Sequence, residues 1–212
     1  RCHIITIEDP IEYLYRDKKA FVNQREIGID VPSFGDALKS VVRQDPDVIL
    51  IGEMRDTDTF ETALTAAETG HLVFGTLHSS NVSQTVGRIL DMFPADRERA
   101  IRQALAFSLK GIVCQKILPS CREGVGLVPA QEIMIVNPTV QKLIYEGEDK
   151  KIDGIVRSSR EEGMQDFNQS LMDLVAEGLI DERVALEASH NAEQLTMNLK
   201  GIFLGDDRKI VR

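Results

Sequence analysis

No apolar run in this 212-residue sequence approaches the roughly 20 residues that span a bilayer, and no charged-then-apolar signal segment opens it. A soluble, cytoplasmic protein without a membrane span is therefore expected. Basic side chains are also scarce: 25 Lys and Arg against 34 Asp and Glu leave a formal charge of −9. That balance argues against a general nucleic-acid binder, which needs clustered cations to neutralise phosphates, but leaves room for a local nucleotide site. The three cysteines, Cys2, Cys114 and Cys121, are an odd number without a secretory context. Reduced thiols are expected, and the Cys114–Cys121 spacing without a second pair does not match a zinc site. Low-complexity runs and internal repeats are missing too. What is present, 42% apolar and 28% charged residues, is ordinary globular composition for one large domain or two small ones.

The chain opens with Arg1 rather than Met and enters the β-branched run His3-Ile4-Ile5-Thr6-Ile7 at once. It reads as truncated upstream, with at least one preceding element missing. Pro10 lacks a donor and biases Asp9 away from helix, which places a turn at Glu8-Asp9-Pro10-Ile11-Glu12. Residues 20–27 read as a short strand. Ser33 then caps a helix with Phe34, Leu38, Val41 and Val42 on one face, stopped by Asp45-Pro46-Asp47. Val48-Ile49-Leu50-Ile51 has no alternation and suits a parallel strand buried on both faces. A second helix carries Phe60, Ala63, Leu64 and Ala67 and ends at Gly70; a further buried strand, Leu72-Val73-Phe74-Gly75-Thr76, leads to Leu77-His78-Ser79.

Asn81 opens a third helix with Val82, Val86, Ile89, Leu90 and Phe93 in register, broken by Pro94. Asp96 opens a fourth with Ile101, Leu105 and Leu109. Residues 111–118 and 127–135 read as two strands of an antiparallel extension. From about 137 onward the pattern is helical, with breaks at Gly147, Gly163, Gly178 and near His190. The alternation of strand and helix implies an α/β fold with a mainly parallel sheet and right-handed crossovers. A soft boundary near residue 120 divides a core, 1–120, from a C-terminal strand extension and helical part, 121–212.

Ligands of open parallel sheets bind beyond the carboxyl ends of the strands. Glu8, Asp9 and Glu12 follow the first strand, Glu53 and Arg55 the third, and His78 the fourth. Carboxylates on adjacent strand tips can hold a hydrated magnesium ion and orient a water, while an imidazole or guanidinium meets phosphate charge. An apolar run ending in an acid has the form of a Walker B element, with Gly52-Glu53 where Asp is usual; an acid that merely caps the next helix is the alternative.

In combination these stretches resemble the secretion ATPase superfamily, the motors of type II secretion, type IV pili and type IV secretion. Leu38-Lys-Ser-Val-Val-Arg43-Gln-Asp-Pro46-Asp47-Val-Ile-Leu-Ile-Gly52-Glu53-Met-Arg55-Asp56 is similar to its signature. Thr6-Ile-Glu8-Asp9-Pro10-Ile-Glu12 resembles its Asp box, and Gly70-His71-Leu-Val-Phe-Gly-Thr-Leu-His78-Ser, with Thr85 and Arg88 downstream, its His box. Val22-Asn-Gln-Arg25-Glu, Ala63-Leu-Thr-Ala-Ala-Glu-Thr and Met197-Asn-Leu-Lys-Gly-Ile-Phe are similar to the pilus retraction (twitching motility) branch. Assembly and type II secretion members usually carry a four-cysteine zinc module after the His box, where this chain has only Cys114 and Cys121. The usual Ala-Ile-Arg helix start of retraction members is replaced by Thr139-Val-Gln-Lys-Leu-Ile-Tyr-Glu146.

The resemblance implies a RecA-like P-loop core, ATP and Mg²⁺ as cofactors, a homo-hexameric ring, and an inner-membrane pilus platform protein as partner, so that the protein is peripheral to that membrane. It implies Glu12 as the residue that orients or deprotonates the attacking water, Glu53 as the magnesium ligand, directly or through water, and His78 as a γ-phosphate sensor. Glu8, Asp9 and Arg55 fall beside the nucleotide. Arg88 is a candidate finger toward a neighbouring subunit or a solvated surface residue, and His71 a nucleotide, structural or intersubunit residue. His3 and His190 read as structural. The phosphate loop Gly-x-x-x-x-Gly-Lys-Ser/Thr, whose backbone amides wrap the phosphates, does not occur: the 212 residues contain no Gly-Lys dipeptide. The family places that loop ahead of the Asp box, so these residues alone are expected to hydrolyse ATP negligibly. Two rival readings stay open: a pilus-assembly or type II secretion ATPase, and a P-loop-less ring subunit that does not hydrolyse.

Overall fold

The computed structural model describes residues 2–202; Phe203, the last residue of the stretch begun by Met197, lies outside them, as does Arg1. Two compact units divide the chain, one formed by the residues through His78 together with Ile89–Ser108, the other by Ser79–Arg88 and the chain from Leu109 onward.

In the first unit β1 (His3–Glu8), β2 (Phe21–Glu26), β3 (Val48–Ile51) and β4 (Leu72–Gly75) form one parallel sheet in the order β2-β1-β3-β4. Ile5 pairs with Ile49 and Ile7 with Ile51, so these side chains line one face of the sheet. Helices α1 (Phe34–Val41) and α2 (Thr57–Glu68) pack on that face: Ile5, Ile7, Ile49 and Ile51 cluster with Ala37, Leu38, Val41, Ala63 and Ala66, all 5% exposed or less. Each helix starts as its sequence dictates. Ser33 Oγ accepts from Asp36 N at 3.2 Å, and Asp56 Oδ1 accepts from Thr59 N at 2.8 Å, satisfying amides that the first turn leaves free.

Two expectations for this unit change. The buried side of α2 runs through Phe60, Ala63 and Ala66, while Leu64 and Ala67 are half-buried, because the period of 3.6 residues carries the contact stripe to Ala66. Strand β4 is not buried: it is an edge of the described sheet, and Leu72 and Phe74 are 46% and 53% exposed. Their register with Ile4, Val48 and Leu50 puts them on the face opposite α1 and α2.

The helix α3 (Val82–Asp91) buries Val82, Val86, Ile89 and Leu90 as its spacing predicts, and Phe93 follows, edge-on to Phe60 at 5.9 Å. Helix α4 (Glu98–Ser108) begins two residues after Asp96, which lies in the preceding turn, and buries Ile101, Leu105 and Ala106; Leu109 falls past its end.

In the second unit β5 (Gly111–Pro119) and β6 (Leu127–Ile135) pair antiparallel over their whole length, from Gly111↔Ile135 to Pro119↔Leu127. The turn between these paired strands contains residue 120, and the two compact units part between Ser108 and Leu109. Helices α5 (Pro138–Glu146), α6 (Ile152–Ser158), α7 (Phe167–Ala176), α8 (Glu182–Ala188) and α9 (Ala192–Leu199) follow. Gly147, Gly163 and Gly178 take φ of 77°, 87° and 65°, the left-handed backbone that glycine reaches without cost, and interrupt the helical run where predicted. Asp166 closes a capping box at the start of α7. Among the described residues no helix is long and apolar enough to cross a membrane.

Leu38 is fully buried between α1 and the sheet. Leu38→Ala should destabilise the protein by about 2–5 kcal/mol, the range for a truncated core leucine, read as a lower urea midpoint with an unchanged slope.

Candidate functional site

The parallel register brings the carboxyl ends of β1, β3 and β4 side by side. Gly52 N donates to Ile7 O at 2.7 Å, Met54 N to Thr76 O at 3.1 Å, and the Thr76 hydroxyl to Gly52 O. A Cβ on Gly52 would lie 3.1 Å from Ile7 O and 3.3 Å from Glu8 Cα, so the residue before Glu53 is glycine because β1 passes that closely. At Gly75 a Cβ would meet instead the far end of the Met54 side chain, 2.3 Å from Cε, which a flexible methionine can vacate.

Glu53 sits at the centre of this edge. Its Oε2 pairs with Arg55 Nη2 at 2.5 Å and its Oε1 with His78 Nε2 at 3.0 Å. The carboxylate is 20% exposed while its partners are 75% and 85% exposed, an anchored acid between two groups free to meet a ligand. The hydrogen bond and charge of Arg55 hold Glu53 below the usual carboxylate range, against some loss of hydration, and His78 acts in the same direction. Arg55 is held above its ordinary value by Glu53 and, more weakly, by Asp9.

Glu8, at the end of β1, accepts from Thr6 Oγ1 at 2.5 Å and from Gln24 Nε2 at 3.0 Å. Asp9, joined to Pro10 by a cis peptide, is exposed. Glu12 is exposed on the following loop, which is tied down by Ile11 N donating to Glu26 Oε2 at 3.0 Å and by Gln24 Nε2 donating to Tyr13 O at 2.8 Å. Of the residues singled out in the sequence, Glu53, Arg55 and His78 touch, and Asp9 lies within electrostatic reach of Arg55. His71 is at the opposite end of β4, where Nδ1 lies 2.9 Å from Ala66 O and 3.2 Å from Thr69 Oγ1 and closes the end of α2. Arg88 is exposed in the last turn of α3, within the second unit. Thr76, Gln24 and Thr6 were not singled out. Thr76 lies inside the His-box stretch and Thr6 inside the Asp box, so their positions were visible there, whereas Gln24 depends on β2 lying beside β1.

Fold and strand edge together define an open parallel-sheet α/β protein with its charged cluster beyond the strand ends. The family model described as "Type II/IV secretion system protein" matches residues 1–188, and the chain belongs to that family. It is 46% identical over 194 residues to a "Twitching motility protein" of Neisseria gonorrhoeae, covering 92% of this chain and 52% of that protein. To the "Type IV pilus retractation ATPase PilT" of Pseudomonas aeruginosa it is 45% identical over 185 residues, covering 87% and 53%. Among solved structures, the "Crystal Structure of the Pilus Retraction Motor PilT and Bound ADP" aligns with a TM-score of 0.80 at 48% identity, covering 89% of this chain and 52% of that one. The X-ray structure of the Legionella pneumophila ATPase DotB aligns at 0.75 and 29% identity, covering 86% and 50%. The chain spans about half the length of the relatives it matches.

A depressed carboxylate contributes stability above its ordinary value of 4.5 and loses it as pH falls through the lowered value in the folded chain. Arg55→Ala should therefore move the Glu53 titration, followed by carboxyl-carbon NMR, upward toward 4.5. An unmoved titration would show that Arg55 is not its main partner.

Proposed function

We propose that these residues are the C-terminal part of a magnesium-dependent, homo-hexameric ATPase that powers type IV pilus retraction. The observation that carries the reading is the Glu53 carboxylate held between Arg55 and His78 at the tips of β3 and β4. Support comes from family membership and from two relatives named for twitching motility and pilus retraction. A second support is the alignment with a retraction motor described with bound ADP.

The donor chemistry fits magnesium. Among the described residues no group of three or more His, Cys, Asp or Glu side chains forms a metal cage. Mg²⁺ ordinarily takes one or two carboxylates and completes its shell with water and substrate phosphates. Glu53 is the residue that would hold it; both its oxygens are engaged, so the ion is held through water or in exchange for a partner. When bound, magnesium neutralises phosphate charge. The chain's own residues do the rest. Glu12, exposed on its loop, orients or deprotonates the attacking water. His78 and Arg55 face the phosphates, Glu8 and Asp9 line the same edge, and Arg88 reaches a neighbouring subunit as a finger. His71 has a structural or intersubunit role. Residues up to about 120 form the ATPase core, and 121–212 a C-terminal part that transmits its motion. Work is delivered to an inner-membrane pilus platform protein, which makes the motor cytoplasmic and peripheral to that membrane, with no role in nucleic-acid binding.

One observation favours a second reading, a ring subunit that does not hydrolyse: no Gly-Lys dipeptide is present to build a phosphate loop. Reading the encoding DNA upstream of Arg1 separates the two.

Residues 1–212 alone should release phosphate from ATP at no more than background rate; robust turnover would overturn the need for a phosphate loop. In a polypeptide where these residues follow such a loop, Glu12→Gln should leave nucleotide affinity intact and lower turnover by about 10²-fold or more, the lower range for a positioned acid or base. Unchanged turnover would remove Glu12 from that role.

A further inference from the structure

The second unit lines a partly open polar pocket of about 110 Å³ whose lining includes Asn81, Glu132, Asp153, Arg157, Asp166 and His190. Glu132 is its unusual member. It stands on β6, is 6% exposed, and projects on the side of the hairpin that buries Cys114, Ala130 and Met134. Its Oε2 accepts a hydrogen bond from Val82 N, the first residue of α3, at 2.7 Å. A carboxylate on the positive end of a helix is favourably placed, and a charge-assisted bond to a backbone amide is roughly twice as strong as a neutral one.

The other neighbours pull in opposite directions. Asp153 on α6 and Asp166 at the start of α7 oppose a negative charge on Glu132, and Asp166 is itself paired with Arg157 at 3.1 Å. On β5, Lys116 favours the charge, but its ammonium is committed elsewhere. It donates to Ala188 O at 2.7 Å, lies 2.9 Å from His190 Nε2 and sits 4.8 Å above the Phe167 ring. Burial is the largest influence, and it lifts the Glu132 carboxyl to about 7. The same burial, together with Lys116, lowers His190.

We propose that Glu132 is a proton-controlled latch: ionised, it clamps the first turn of α3 to β6; protonated, it eases that grip. The device is built from two facts of geometry, a buried carboxylate on the hairpin and an otherwise free helix-start amide in front of it. It acts on the segment that begins four residues after His78, and it does not depend on the reading of the strand edge as an ATPase site.

The test is a pH titration of the 212-residue chain by NMR, following the Glu132 carboxyl carbon and the amides of Val82, Ser83 and Gln84. The expected result is a common midpoint near pH 7 for all four, and flat amide positions across that range in Glu132→Gln, which keeps an acceptor for Val82 but has no proton to lose. A Glu132 midpoint in the ordinary carboxylate range would overturn the proposal, as would a Val82 amide that ignores the Glu132 titration. A Val82 shift that survives in Glu132→Gln would overturn it too, by tracing the effect to His190. Should Glu132→Gln fail to fold, co-titration of Glu132 and Val82 in the unaltered chain decides alone.

Discussion

The close approach of β3 to β1 is the constraint on which the first unit depends. Gly52 comes within reach of the backbone at Ile7 and Glu8, and its amide is spent on Ile7 O. With that contact made, Glu53 emerges beside the end of β1. Met54 is bound to Thr76 on the next strand, and His78 meets Glu53 from there. A larger residue at position 52 would push the two strand ends apart and with them the acids that follow each. The packing below serves the same end. Ile5, Ile7, Ile49 and Ile51 face α1 and α2, so the sheet is anchored on one face while its edge stays open to a ligand.

Legibility in the sequence followed the range of the interactions. Strands and helices were readable because their signals are local: four aliphatics in a row at Val48–Ile51, Ser33 as a cap, and glycines past helix ends. Strand order, and hence the meeting of Glu53 with His78, was anticipated only as adjacency of strand tips. What sequence could not give was the neighbour count of β4. An apolar run such as Leu72–Thr76 looks alike whether two strands or one flank it, and exposure of Leu72 and Phe74 depends on that count. The antiparallel extension, by contrast, was legible as two strand-like runs joined by a short turn. Residues 111–118 and 127–135 were expected to pair with each other, and β5 and β6 do so along their whole length.

Glu132 was invisible for a different reason. A glutamate on a strand is ordinarily a solvated charge, and although Glu132 is in phase with the buried Val128, Ala130 and Met134, nothing local shows that the start of α3 lies in front of it. His190, read as structural, indeed packs edge-on to Phe167 at 5.4 Å, but it also lies beside Lys116 and borders the same polar pocket. The two units thus handle charge differently. At the open edge, Glu53 is steadied chiefly by Arg55 and stays ionised; in the polar pocket of the second unit, a buried carboxylate loses hydration and keeps its proton far longer.

The bare edge of β4 has a colloidal consequence. A strand whose outer amides and carbonyls are unpaired among the described residues, and which displays Leu72 and Phe74, is a template for another chain's strand. The net charge of −9 keeps such molecules apart at neutral pH. That repulsion weakens as pH falls toward the sequence isoelectric point of about 5.0, where net charge opposes edge-to-edge pairing least.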